Sequence, residues 1–307
     1  MSSQERSESR AHRLAAGCVG YYLLVILWGA WVRIAKAGDG CGSHWPTCNG
    51  QIIPLDGGTK TLIEFTHRAT SGLAGIIGFV LLFFVWRAFR ERRLRWAAIM
   101  QALFLTAEAL VGRFLVKKEL VAEDDSIERA VVMAFHLVNT FGLMSATFLT
   151  AWWSRPSAPR SHQGTVGMGV WVSSVVLVLV SMSGAVTALG DTIFPPGARP
   201  DAGFFERVAH VGDGELHFLI RLLVIHPLLA VAGALLIGFV AGLNLLDPTR
   251  GAARRVLAVV VAQTLLGLVN VVLGAPGWAQ IAHLLLAQLL WLAVMELGLR
   301  RREAAPA

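Results

Sequence analysis

Charge is scarce in this chain. Only 15% of its 307 residues are Asp, Glu, Lys or Arg, against roughly 25% in soluble domains. With 55% hydrophobic residues and a mean hydropathy of +0.60, the shortage excludes an ordinary soluble protein. Alternation of apolar and polar residues is also missing: the apolar stretches are continuous, which excludes a membrane β-barrel. Cysteine is nearly absent, and with only His44 beside Cys41 and Cys48 the ligand set of a zinc site is incomplete. A cleaved signal peptide is not expected either. The N-terminus is too charged and its first apolar run too long, so that run is expected as a retained helix.

What the chain has instead is apolar runs of about 20 residues, the length that crosses a bilayer core as helix. They fall at 14–36, 61–86, 96–117, 129–152, 165–190, 216–243, 254–274 and 277–297. The expected fold is an all-α polytopic membrane protein, with eight transmembrane helices as two parallel-repeat four-helix bundles. The net charge of +7 comes largely from one set of loops: Arg6, Arg10, Arg13, the run 87–95, Arg155, Arg160, Arg250, Arg254, Arg255 and Arg300 to Arg302. The opposite loops hold Glu119, Glu123, Asp124, Asp125 and Glu128. This is the positive-inside pattern. It predicts both termini in the cytoplasm and leaves no charge that needs a nucleic-acid partner.

A polar stretch from Trp153 to Gly164 joins two halves, 1–157 and 158–307, the first with an external loop over 37–60. Gly29-Ala30-Trp31-Val32 running to Gly38-Asp39 echoes Gly184-Ala185-Val186-Thr187 running to Gly190-Asp191. His136-Leu137 and His283-Leu284 stand in the fourth and eighth segments, and His67 and His226 in the second and sixth. Both halves start on the same side, so the repeat axis runs along the membrane normal.

An intramembrane ionisable residue marks a functional site by default. His67, His136 and His283 lie about six or seven residues inside the outer ends of their helices, or ~9–10 Å at 1.5 Å per residue; His226 lies about ten in. Two imidazoles at similar depth can hold a haem iron, and pairing within halves joins His67 with His136 and His226 with His283. The alternative for each is a polar residue hydrogen-bonded across the bundle. His217, at the head of the sixth helix, competes with His226. His12 and His162 are expected on the solvated cytoplasmic surface, and His44 and His210 in external loops. Glu64 is on the helix face of His67. It can accept the imidazole N–H, pair with Arg68 or act on a substrate; Leu223 takes its place before His226. Glu108 and Arg113 read as a structural pair, and Arg33, Arg68 and Arg221 as contacts for haem propionates or for the groups around the ligands. Cys18 reads as an inert packed thiol. Cys41 and Cys48, bracketing a proline turn on the oxidising side, can close a small disulfide, as a staple or as a redox-active, loop-gating bond.

Taken together, Cys41-Gly-Ser-His-Trp-Pro-Thr-Cys48-Asn-Gly, Glu64-Phe-Thr-His67-Arg68, His136-Leu-Val-Asn-Thr140 and His283-Leu-Leu-Leu-Ala287 resemble the haem A synthase family over nearly the whole chain. The resemblance implies an oxidoreductase that oxidises the C8 methyl of haem O to a formyl by successive hydroxylations with water-derived oxygen, serving assembly of haem-copper terminal oxidases. It implies His67 and His136 as ligands of substrate haem O, His226 and His283 as ligands of a haem b cofactor, Glu64 as the functional carboxylate, and Cys41 with Cys48 as the loop pair. Implied partners are the lipid bilayer, the haem O synthase that delivers substrate, and the terminal oxidase; a homo-oligomer stays open. The implied place is the plasma membrane, with the haem sites toward the outer face. Pro227 departs from the family's Arg after the sixth-helix histidine; it removes a helix bond and is expected to tilt His226. The rival readings are a dihaem b-type cytochrome that only carries electrons, and a transporter built on the same repeat.

Overall fold

Continuous apolar segments in a medium without water must satisfy their backbone groups internally, and the helix is the solution open to a single segment. The computed structural model describes residues 2–156, 167–195, 217–246 and 248–304. Among them stand eight helices: α1 (Ser3–Ile34), α2 (Thr59–Ala88), α3 (Arg92–Lys117), α4 (Ile127–Ser154), α5 (Met168–Ile193), α6 (Phe218–Gly242), α7 (Arg250–Leu273) and α8 (Gly277–Ala304). Each is long and apolar enough to span a membrane. Phe79, Phe83, Leu235 and Phe239 are more than half exposed, as lipid-facing side chains are. His162 and His210 lie outside the described residues.

The helices form two compact units, Met1–Ala122 with Val138–His162, and Glu123–Leu137 with Gln163–Ala307. In the first, α2 packs between α1 and α3, and the three meet at Gly78. A Cβ there would stand 2.5 Å from Leu105, 2.6 Å from the Gln101 amide and 2.8 Å from the Tyr22 hydroxyl. Gln101 donates to Tyr22 at 2.8 Å, so the polar groups of this crossing are matched inside the bundle. The latter part of α4 is tied to α3 through Asn139, which donates to the Phe104 carbonyl at 2.9 Å. In the second unit α5 packs on α6 and α8, and α7 on α6 and α8, closing a ring of four around Leu177, Ile237, Val256 and Val294.

Two expectations are corrected. α1 begins at Ser3 rather than near residue 14, because Ser2 and Glu5 form a capping box that starts the helix ahead of its apolar run. His12 therefore lies within α1, where its Nδ1 is 3.1 Å from the Ala151 carbonyl on α4; it is an interhelical contact, not a solvated surface residue. Pro227 sits inside α6 without ending it.

Candidate functional site

The loop between α1 and α2 is folded onto α2 by its own covalent and polar bonds. Cys41 and Cys48 form a disulfide. The Asn49 N–H donates to the Cys41 carbonyl at 3.0 Å, and the Thr61 hydroxyl at the start of α2 donates to the Gly40 carbonyl at 2.8 Å. Glu64, only 3% exposed, sits under this loop. One carboxylate oxygen accepts the Cys41 N–H at 2.8 Å; the other accepts Arg68 Nε at 3.0 Å and a second guanidinium N–H of the same residue. The third arm of Arg68 donates to the carbonyls of His44 at 2.6 Å and Thr47 at 2.9 Å. A buried carboxylate needs a partner charge and hydrogen bonds, and here one arginine supplies both while gripping the disulfide ring. Of the three roles open to Glu64, the structure displays the Arg68 pair and adds the loop amide. The Arg113 guanidinium lies over the Trp45 ring of the same loop at 5.7 Å.

His67, one turn further along α2, faces a glycine. A Cβ at Gly29 of α1 would lie 3.0 Å from His67 Cε1 and 3.2 Å from Nε2. The second unit repeats this. A Cβ at Gly184 of α5 would lie 2.9 Å from His226 Cε1 and 3.3 Å from Nε2. The neighbouring helix also donates to the carbonyl four residues before each histidine: Trp28 to Ile63 at 3.2 Å and Thr187 to Leu222 at 3.1 Å. The Gly-Ala echo in the sequence is thus a packing site, where glycine lets an imidazole lie against the next helix. Sequence reading found these glycines as a repeat and missed them as ring seats.

The ring nitrogens of the second unit have defined roles. Ser183 spends its hydroxyl proton on the Val180 carbonyl at 2.7 Å, so its oxygen accepts the Nδ1–H of His226 at 3.0 Å. That leaves the Nε2 of His226 with a lone pair. On α8, His283 packs against Gly267, whose Cβ would lie 3.2 Å from Cε1. Its Nε2 receives the Gln263 amide at 3.1 Å, while its buried Nδ1 has no hydrogen-bond partner among the described residues. Imidazoles set among glycines suit axial ligation of a flat iron macrocycle, His226 through its open Nε2 and His283 once the Gln263 amide turns away from its Nε2; on those terms these residues fit a haem.

His217 is placed differently. It is the N-cap of α6: Nδ1 accepts the Leu219 N–H at 3.4 Å, Nε2 is 3.5 Å from Asp125, and the ring lies between Phe194 and Phe218. Both nitrogens are engaged, whereas His226 keeps one available. Arg33 lies in the last turn of α1, four residues after the Gly29 that seats His67, and Arg221 lies near the start of α6, five residues before His226. Glu108 accepts the Thr140 hydroxyl at 2.9 Å. Cys18 is buried and free.

Eight membrane-length helices with histidines seated on glycines define a polytopic, haem-compatible membrane protein. The family model described as "Cytochrome oxidase assembly protein" (COX15-CtaA) matches residues 12–295. The chain belongs to that family, the one that its motifs resemble. It is 46% identical over 293 residues to a Thermus thermophilus protein named "Protoheme IX farnesyltransferase", covering 92% of this chain and 47% of that relative. It is 42% identical over 91 residues to proteins named "Heme A synthase" from Bacillus cereus and Bacillus anthracis, covering 29% of each chain. The chain spans about half the length of the Thermus relative.

Proposed function

We propose that this protein is a haem A synthase, oxidising the C8 methyl of haem O to a formyl group with an oxygen atom from water. The balance is one methyl and one water giving one aldehyde, four protons and four electrons, the electrons passing to an acceptor in or at the membrane. In this reading His67 and His136 hold substrate haem O, and His226 and His283 hold haem b. Haem b, when bound, supplies single-electron transfer. Arg33 and Arg221 meet propionates. The observation that carries the reading is an asymmetry inside a repeat. Both halves seat a histidine on a glycine, but only the first has a buried acid, Glu64, one turn before that histidine, under a disulfide loop. Leu223 stands at the equivalent place in the second half.

Glu64 acts as the site's carboxylate. Released from Arg68 or still paired to it, it provides negative charge near the reacting face and a base for the proton of an attacking water. Arg68 and Cys41 fix its position, and the folded loop covers the site from water. Both termini lie in the cytoplasm, and the loop and histidines lie toward the outer face of the plasma membrane. The name of the Thermus relative, about half of which this chain matches, favours a prenyltransferase that makes haem O as the partner that hands over substrate; terminal oxidases receive the product.

The test is the pigment of the purified protein. Haem b together with haem O or haem A is expected. Haem b alone at two equivalents per chain would favour a dihaem cytochrome and overturn the reading.

A further inference from the structure

The repeat can be extended to helices whose motifs do not announce it. Gly184 follows Gly29 by 155 residues, and Gly267 follows Gly112 by the same 155. At this offset every buried residue of α7, among those described, corresponds to a buried residue of α3: Ala252 to Ala97, Ala253 to Ala98, Val256 to Gln101 and Val260 to Leu105. Burial and glycine placement therefore agree on one register, and it makes Glu108 of α3 the counterpart in sequence of Gln263 of α7. Gln263 is the residue whose amide reaches His283 Nε2 at 3.1 Å. In the first half the same place holds a carboxylate. It accepts the Thr140 hydroxyl at 2.9 Å, and Thr140 follows His136 by one helical turn, on the same face of α4. At the matching position after His283 stands Ala287, which has no hydroxyl; there the polar end of residue 263 turns to the histidine itself. The halves differ at Gly112 too, which has open space where Gly267 meets the His283 ring.

We propose that Glu108 is a positioning residue of the substrate-haem site, a second carboxylate that Thr140 holds beside the axial ligand His136. This rests on the proposed haem A synthase reading. The physical role follows from charge. A fixed negative charge near a haem favours its oxidised, more positive state, which suits a haem whose own methyl is to be oxidised. The cofactor haem, which must pass electrons in both directions, has the neutral Gln263 in that place.

The experiment is a spectroelectrochemical titration of the purified, haem-loaded full-length protein, wild type against Glu108→Gln, Glu108→Asp and Gln263→Glu. Glu108→Gln is expected to keep both haems, raise the midpoint potential of the N-terminal haem only, and lower haem A formation about tenfold. A tenfold change in preference for the oxidised form corresponds to about 59 mV for one electron. Glu108→Asp should restore most of both, and Gln263→Glu should lower the potential of the C-terminal haem. A Glu108→Gln protein whose N-terminal potential is unchanged, with activity falling only as its abundance falls, would overturn the inference and leave the synthase reading standing. A wild-type protein that holds no haem at all would overturn both.

Discussion

Replacing Arg68 by Met is the sharpest perturbation of the loop latch. It leaves the Glu64 carboxylate, 3% exposed, with the Cys41 N–H but without its counter-charge, and it frees the carbonyls of His44 and Thr47. Removing one member of a buried ion pair costs about 3–5 kcal/mol. The retained amide bond to a charged acceptor, worth about 1.5–3 kcal/mol, places the cost at the lower end, about 3 kcal/mol. The chain can escape that cost by lifting the loop so that Glu64 meets water. Since about 1.4 kcal/mol is a factor of ten, the open population should rise about a hundredfold. The assay is reduction of the Cys41–Cys48 disulfide by dithiothreitol in detergent, quenched with a mass-tagged maleimide; Cys18, buried within α1, serves as the unreactive control. Reduction of Arg68→Met should be faster by up to that factor. Adding Glu64→Gln to Arg68→Met should slow it again to within about tenfold of wild type, because a buried amide needs no counter-charge. A single variant reduced within twofold of the wild-type rate would refute the latch. So would a double variant that opens faster than Arg68→Met alone.

Three further outcomes follow from the histidine seats. Gly184→Ala should cost the C-terminal haem, because its Cβ would stand 2.9 Å from His226 Cε1, while Gly267→Ala, at 3.2 Å from His283, should keep most of it; equal haem content in the two optical spectra would contradict the packing argument. Ser183→Ala removes the acceptor for the His226 Nδ1–H and should weaken haem binding 10–100-fold, the usual effect of losing a ligand's orienting partner; a haem titration that superimposes on wild type would count against the assigned tautomer. His217→Ala should retain the pigment and lose about 1 kcal/mol of helix-cap stability, read as a small fall in Tm, whereas His226→Ala should lose the pigment.

The eight helices were readable from the sequence because bilayer thickness and backbone desolvation dictate long apolar runs. Their ends were less so: α1 continues to Ser3 on the strength of a Ser2–Glu5 cap that apolar periodicity does not register. Of the site, the histidines, Glu64 and the cysteines could be named from residue type and motif. Their partners could not. Arg68 grips carbonyls more than 20 residues away, and Gly29, Gly184 and Ser183 matter only through the helix they face. Such contacts depend on helix rotation, which a one-dimensional pattern leaves free. His217 and His226 stood nine residues apart as rivals until the cap geometry of α6 engaged both nitrogens of the first.

The central claim is chemical, and conversion of haem O tests it most directly. Purified wild-type protein supplied with haem O and an electron acceptor should yield haem A in the extracted pigment, seen by chromatography. Glu64→Gln should bind haem O yet form haem A about 10²–10³ times more slowly, the usual effect of removing one charge-stabilising group from a dry site. Wild-type protein that binds haem O and returns it unchanged, or a Glu64→Gln protein that makes haem A at the wild-type rate, would contradict the account.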